Sequence, residues 1–192
     1  MLRLRAALLF TLSLGACAHV KQGPPVFHWT DGVKPAAYFP LAAGTAWSYD
    51  ALDPATGRKV FVVNRVLASD GPRAVFSLPP DPLSYEDIGE AIVSYPSRKT
   101  ILQSPIARGT HWPAGSGTAT ITSVDAIVEA PAGRYTSCVS VEEVAPDRRI
   151  VTTFAPHVGP AQIEVYYREA GREILVSRAL LRSYHAPTAD SP

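Results

Sequence analysis

From Thr118 to Tyr184 apolar and polar side chains alternate with a period of two, interrupted by turn chemistry about every 8–12 residues. That period puts successive side chains on opposite faces of an extended chain, so each segment can bury one face and solvate the other. Gln162–Arg168 is the plainest case: Ile163, Val165 and Tyr167 fall on one face, Gln162, Glu164 and Arg168 on the other. Thr118–Glu129 runs into Ala130-Pro131-Ala132-Gly133. There Pro suits the second position of a type I turn and Gly accepts a positive φ, so Arg134–Val144 is expected to return antiparallel. Pro146-Asp147 turns the chain into Arg148–Phe154, and Ala170-Gly171 into a long last strand, Glu173–Tyr184. This last strand carries Leu175 and Leu181 on one face and Ile174, Val176 and Leu180 on the other, which predicts cover on both sides over part of its length.

The first half reads the same way with more punctuation. Thr45–Leu52, Lys59–Ala68 and Arg73–Leu78 are predicted strands, separated by Asp53-Pro54-Ala55-Thr56-Gly57 and by Asp70-Gly71. Pro79-Pro80-Asp81-Pro82 stops the third and opens a loop to about Asp87, with a short helical turn expected near Tyr85–Gly89. Ala91–Tyr95 and Thr100–Gln103 are weaker strand candidates, and the Gly- and Pro-containing stretch Ala107–Gly117 reads as a surface loop. The expected fold is all-β: a single antiparallel meander domain over residues 37–185 with little helix. A sheet without helices must cover its apolar face by curving strongly, as a half-barrel or barrel-like closure, or by folding over as a sandwich.

The N-terminus is an address. Arg3 and Arg5 precede an apolar run of nine residues, Ala6–Leu14, less than half of the about 20 needed to cross a bilayer. The run ends in Leu14-Gly15-Ala16-Cys17, which resembles the lipobox of bacterial lipoprotein signal peptides. The resemblance implies cleavage after Ala16, a diacylglycerol thioether on Cys17 and a further acyl chain on the new amine, enough chains to hold firmly to a membrane. Ala18 in place of Asp implies, by analogy with Gram-negative sorting, the outer membrane with the domain facing the periplasm. Residues 1–16 are then signal, 17–36 a Pro-containing tether in which Phe27 and Trp29 can dock or meet lipid, and 186–192 a disordered tail.

Removing 16 residues from 192 leaves 176, the length of one domain. Arg3 and Arg5 leave with the signal, so the 18 basic residues become 16 against 17 acidic, dispersed along the chain. Nucleic-acid binding, which needs clustered cations, is disfavoured. With Cys17 lipidated, Cys138 has no intramolecular partner; the readings are a buried inert thiol, an intermolecular disulfide or a nucleophile.

Phe39-Pro40-Leu41 with Gly44, Trp47 and Tyr49, then Pro131-Ala132-Gly133 with Tyr135 and Cys138-Val139, and Ala155-Pro156 with Val158-Gly159 resemble a group of exported bacterial proteins of uncharacterised function, many of them lipoproteins. The resemblance spans about residues 39 to 165 and implies an antiparallel β domain, and it carries over no catalytic residue. Gly is expected where this chain has His157, so a different local turn is expected there.

Chemistry-bearing patterns are sparse. His28, His111, His157 and His185 are not spaced as metal ligands, no Cys-x-x-Cys exists, and no cofactor is implied. Gly115-Ser116-Gly117 lacks the helix that a nucleophile elbow needs. Glu142 and Glu143 are adjacent on a strand and so point apart, unable to act together. Binding candidates remain: Trp47 and Tyr49 in the early aromatic cluster, and His111 beside Trp112. The sequence supports a non-enzymatic envelope lipoprotein that binds or scaffolds, with an envelope protein partner. The alternative is a carrier for an apolar ligand, resembling half-barrel lipoprotein-sorting factors in architecture. An enzyme using Cys138 or Ser116 is the third reading.

Overall fold

A computed structural model describes residues 32–77, 81–169 and 171–187; the expected signal segment, Cys17, His28 and most of the expected tether and tail lie outside the described residues. A 3-10 turn, Pro35–Tyr38, leads into twelve strands: β1 (Ala46–Leu52), β2 (Lys59–Ser69), β3 (Arg73–Ser77), β4 (Leu83–Asp87), β5 (Ala91–Tyr95), β6 (Lys99–Gln103), β7 (His111–Ala114), β8 (Gly117–Ala130), β9 (Gly133–Val144), β10 (Arg148–Ala155), β11 (Gly159–Glu169) and β12 (Arg172–His185). They form one antiparallel sheet in the order β6-β5-β4-β3-β2-β1-β12-β11-β10-β9-β8-β7. Each strand pairs with its neighbour in sequence except at β6/β7, and β12 returns to β1 with Trp47 opposite Tyr184. The sheet is therefore a meander nearly closed into a barrel, with its seam in the middle of the chain.

The seam follows from the residues at it. Pro113 removes a ladder donor from β7, a substitution tolerated at a sheet edge and not inside one. Side chains bridge where backbone does not: the Trp112 indole N–H donates to the Thr100 carbonyl at 3.0 Å, and Lys99 pairs with Glu143. Trp112 is buried, so the stretch Ala107–Gly117, read as a surface loop, contains a strand anchored by its aromatic. The helical turn expected near Tyr85–Gly89 is likewise a strand through Asp87. Tyr85 stands opposite Ala74 and Ser94 in a ladder with partners on both sides, and Glu86 is paired with Arg73 at 3.0 Å.

One end of the barrel is packed by the chain before β1. Tyr38, Phe39 and Leu41 are buried, and the Phe39 ring lies 5.7 Å from Phe76, 5.1 Å from Tyr85 and 6.2 Å from Phe154 between ring centroids. Burying such a ring contributes about 2–3 kcal/mol. The fold engages the chain slightly before residue 37: Val33 packs on the core and Pro35 is buried. The β8–β9 hairpin bends over the same end through three register shifts, the usual effect of bulges. Its tip is tied to β12 by Ala132 N–H to Leu181 O at 3.0 Å, and the Tyr38 hydroxyl donates to Ser137 O at 3.3 Å.

Two tight spots require glycine. A Cβ on Gly117 would lie 1.9 Å from the Val144 carbonyl oxygen, so β8 and β9 reach this spacing only without a side chain. Gly159, at φ +100°, lies against the Trp47 indole. His157 in the same turn adopts φ +58°, so it takes the left-handed conformation that Gly was expected to supply. Its N–H donates to Ala37 O, joining the turn to the packed N-terminal segment.

Candidate functional site

Residues directly opposite in the ladder share a face, which defines the concave side. Tyr49 faces Val62, Trp47 faces Asn64, Thr152 faces Ile163, and Ile163 faces Ala179. At the end capped by Phe39 these positions are packed. Toward the opposite end Val62, Ile150, Thr152, Ile163, Val165 and Ala179 are only partly covered, and Val60 is 44% exposed. The lumen is thus filled at one end and unfilled at the other.

Two cavities lie in its floor. One, of about 170 Å³, is lined by Phe39, Trp47, Tyr49, Asn64, Phe76, Tyr85, Pro160 and Ile163. The second, of about 100 Å³, lies beside the seam against Lys99, Ile101, Glu143, Ile150 and Phe154. The Phe39–Phe154 contact stands between them, one ring lining each.

The larger cavity is an aromatic box. Trp47 stacks on Phe76 at 5.6 Å and 14°, and Phe76 meets Tyr85 edge-on at 4.7 Å. Its polar groups are mostly committed: Trp47 Nε1 donates to Val158 O at 2.6 Å and the Tyr49 hydroxyl to Pro160 O at 2.9 Å. Burial pushes the Tyr49 and Tyr85 hydroxyls upward, Tyr49 also through Tyr85 nearby, so both stay neutral phenols. Asn64 differs, because its Oδ1 is buried without a hydrogen-bond partner.

The candidate contact residues therefore divide. Trp47 and Tyr49 line one cavity from β1. His111 and Trp112 sit at the seam edge on opposite faces, His111 exposed with Nδ1 3.2 Å from Gly109 O, and Trp112 buried. Asn64, Phe76 and Tyr85 were not singled out from sequence. The alternation of β2 does put Asn64 on the same face as Val62 and Val66, and that polar intrusion into an apolar face was a readable signal.

Cys138 is fully buried, and burial pushes its thiol up to about 11. A thiolate is disfavoured there, so the nucleophile reading finds a poor nucleophile. Ser116 occupies the turn joining β7 to β8. Glu142 pairs with Arg149 and Glu143 with Lys99, on opposite faces. Among the described residues no group of three His, Cys, Asp or Glu is placed to hold a metal.

The backbone is similar to a known one. A candidate exported protein with a YmcC-like fold from Bacteroides fragilis matches at a TM-score of 0.52 and 13% identity, over 78% of this chain and 99% of that one. A candidate lipoprotein from Parabacteroides distasonis gives 0.46 and 14% over 77% and 98%. The first is a likeness of fold alone. No protein-family model and no curated protein matches the sequence.

Proposed function

We propose that the protein is an envelope lipoprotein anchored through Cys17, with its domain facing the periplasm from the outer membrane, and that it binds an apolar ligand in the unfilled half of its lumen. The observation that carries the binding reading is the concave face itself: aromatic and aliphatic residues, with Asn64 as the one amide, line a floor cavity of about 170 Å³ that the chain's own side chains leave unfilled. A cavity near 150 Å³ lined by apolar groups is large enough for a benzene-sized body. Binding is favoured over catalysis because Cys138 is buried as a thiol and Trp47 and Tyr49 have their donors on backbone carbonyls. The anchor rests on the Leu14-Gly15-Ala16-Cys17 sequence, and the fold likeness to a candidate exported protein is consistent with it.

The test is mass spectrometry of the full chain from its native envelope. The expected result is loss of residues 1–16, a diacylglyceryl gain that Cys17→Ser abolishes, and a further mass that leaves on extraction with organic solvent. A protein of bare mass would overturn the carrier reading.

A second reading has its own observation. Phe61, Val63, Leu67 and Val75 are exposed on the other face of β2 and β3, with the Arg182 guanidinium 5.6 Å over the Phe61 ring. An envelope protein docked there is the scaffold reading, and its retention by a bare-mass protein in a pulldown would favour it.

A further inference from the structure

The aromatic cavity carries a second level of specificity, and it rests on the reading of the lumen as a binding site. Three properties of the cavity constrain what fits. Its walls are ring faces and edges, Phe39, Trp47, Phe76 and Tyr85, whose tilted, stacked and edge-on contacts a further planar ring would extend. Its volume of about 170 Å³ matches one six-membered ring with a small substituent. Its polar complement is Asn64, which stands opposite Trp47 across the β1–β2 ladder.

The Asn64 side chain is anomalous for a structural residue. Its Oδ1 is buried with no partner, a state that costs about 1–3 kcal/mol and that a leucine of similar volume would avoid. Trp47 and Tyr49 answer the same problem by donating to Val158 and Pro160. A carboxamide can rotate about its last bond and offer oxygen or nitrogen, so it suits a group that both donates and accepts. A hydroxyl is the small group of that kind which a cavity of this size admits along with a ring.

We infer that the cavity between Phe39, Trp47, Phe76 and Tyr85 is a binding site for an aromatic ring bearing a hydroxyl, with Asn64 as its hydrogen-bonding partner. The ring is either a free small phenol or the end of a larger amphiphile whose remainder lies along the open lumen.

p-Cresol and toluene, which share a methyl-substituted ring and differ by one hydroxyl, separate the contributions. Binding of each to the full mature chain, kept free of lipid by Cys17→Ser, is followed by Trp fluorescence and by NMR of added ligand. The wild-type cavity is expected to favour p-cresol over toluene by about tenfold, the worth of one neutral hydrogen bond. Asn64→Leu is expected to reverse that preference while raising the unfolding midpoint, since it removes the unpaired amide. The raised midpoint shows that the variant is folded. Equal affinity for the two ligands in wild type, or a preference unchanged in Asn64→Leu, overturns the role of Asn64 and leaves the lumen reading standing. Failure of both ligands to bind overturns the cavity as a site altogether. Measuring an extracted native ligand by high-resolution mass distinguishes the two sources, a phenol of low mass or an amphiphile carrying one.

Discussion

The Trp47 indole N–H donates to the carbonyl oxygen of Val158 at 2.6 Å, joining β1 to the β10–β11 turn across 111 residues of chain. The bond is buried, and Gly159 beside it leaves no room for a side chain without crowding the indole. One residue thus ties the packed end of the barrel together and walls the aromatic cavity.

Trp47→Phe keeps a ring and removes the donor. Val158 O is left buried without this partner, so a loss of about 2–3 kcal/mol is expected. Urea unfolding checks it, with the midpoint falling and the slope unchanged. A loss below about 0.5 kcal/mol would mean that water replaces the indole.

Gly117→Ala places a methyl where the Val144 carbonyl oxygen already lies. Backbone cannot yield as a flexible side chain does, so the β7–β8 turn must shift from β9. The expected cost is about 3 kcal/mol or more. Gly115→Ala at the same turn is the control. A Cβ there meets nothing within 4 Å, so its cost should be confined to its positive φ.

Cys138 gives a pH dependence of definite sign. Its thiol ordinarily titrates near 9.0 and burial raises it to about 11 in the fold, so the unfolded chain loses its proton first. The contribution is complete below pH 9, falls as pH rises, and is gone above about pH 11, on the order of 2–3 kcal/mol in total. Buried tyrosines add to the alkaline loss, so the measurement is the difference between wild type and Cys138→Ala from pH 8 to 11. Native-state labelling with a thiol reagent should proceed only at the rate of unfolding. Rapid labelling at pH 8 would show an accessible thiol.

Glu164 is a carboxylate held inside the sheet, 9% exposed, accepting from Arg178 Nε at 2.7 Å and from the Tyr166 hydroxyl at 2.8 Å. Arg178→Ala leaves that charge with the phenol alone. A loss of about 1–2 kcal/mol is expected, discounted because the Arg178 side chain is itself 48% exposed. Adding Glu164→Leu should recover most of it, since both charges are then absent. Thermal unfolding of the two variants separates this from lost packing, which the double variant would not repair.

Much of the fold was legible because its signals are local. Ala91–Tyr95, a weaker strand candidate, begins and ends where expected, and most other strands differ from expectation by a residue or two. Turn chemistry at Asp53–Gly57, Asp70-Gly71 and Pro131–Gly133 joins paired strands as expected. Two segments were misread for a common reason. Glu86 and Asp87 are weak strand formers and Pro113 lacks a donor, so local preference argues against β4 and β7. Pairing with Arg73 and burial of Trp112 override it. The even alternation of Gln162–Arg168 misled in another way. A register shift after Val165 breaks it, and Glu164 is more buried than Ile163 because Arg178 and Tyr166 satisfy it.

The sequence by itself determined the strands other than β4 and β7, their antiparallel succession and the need for curvature. Each of these follows from backbone geometry and a two-residue period acting over a few neighbours. Only the tertiary structure decided that β12 closes on β1 and the seam falls between β6 and β7, that Cys138 is buried, and that Trp47 and Tyr49 share a cavity with Asn64 while His111 and Trp112 do not. Those outcomes depend on how twelve strands close around one filled and one unfilled end. Closure is a property of the whole sheet, encoded by no local run of residues.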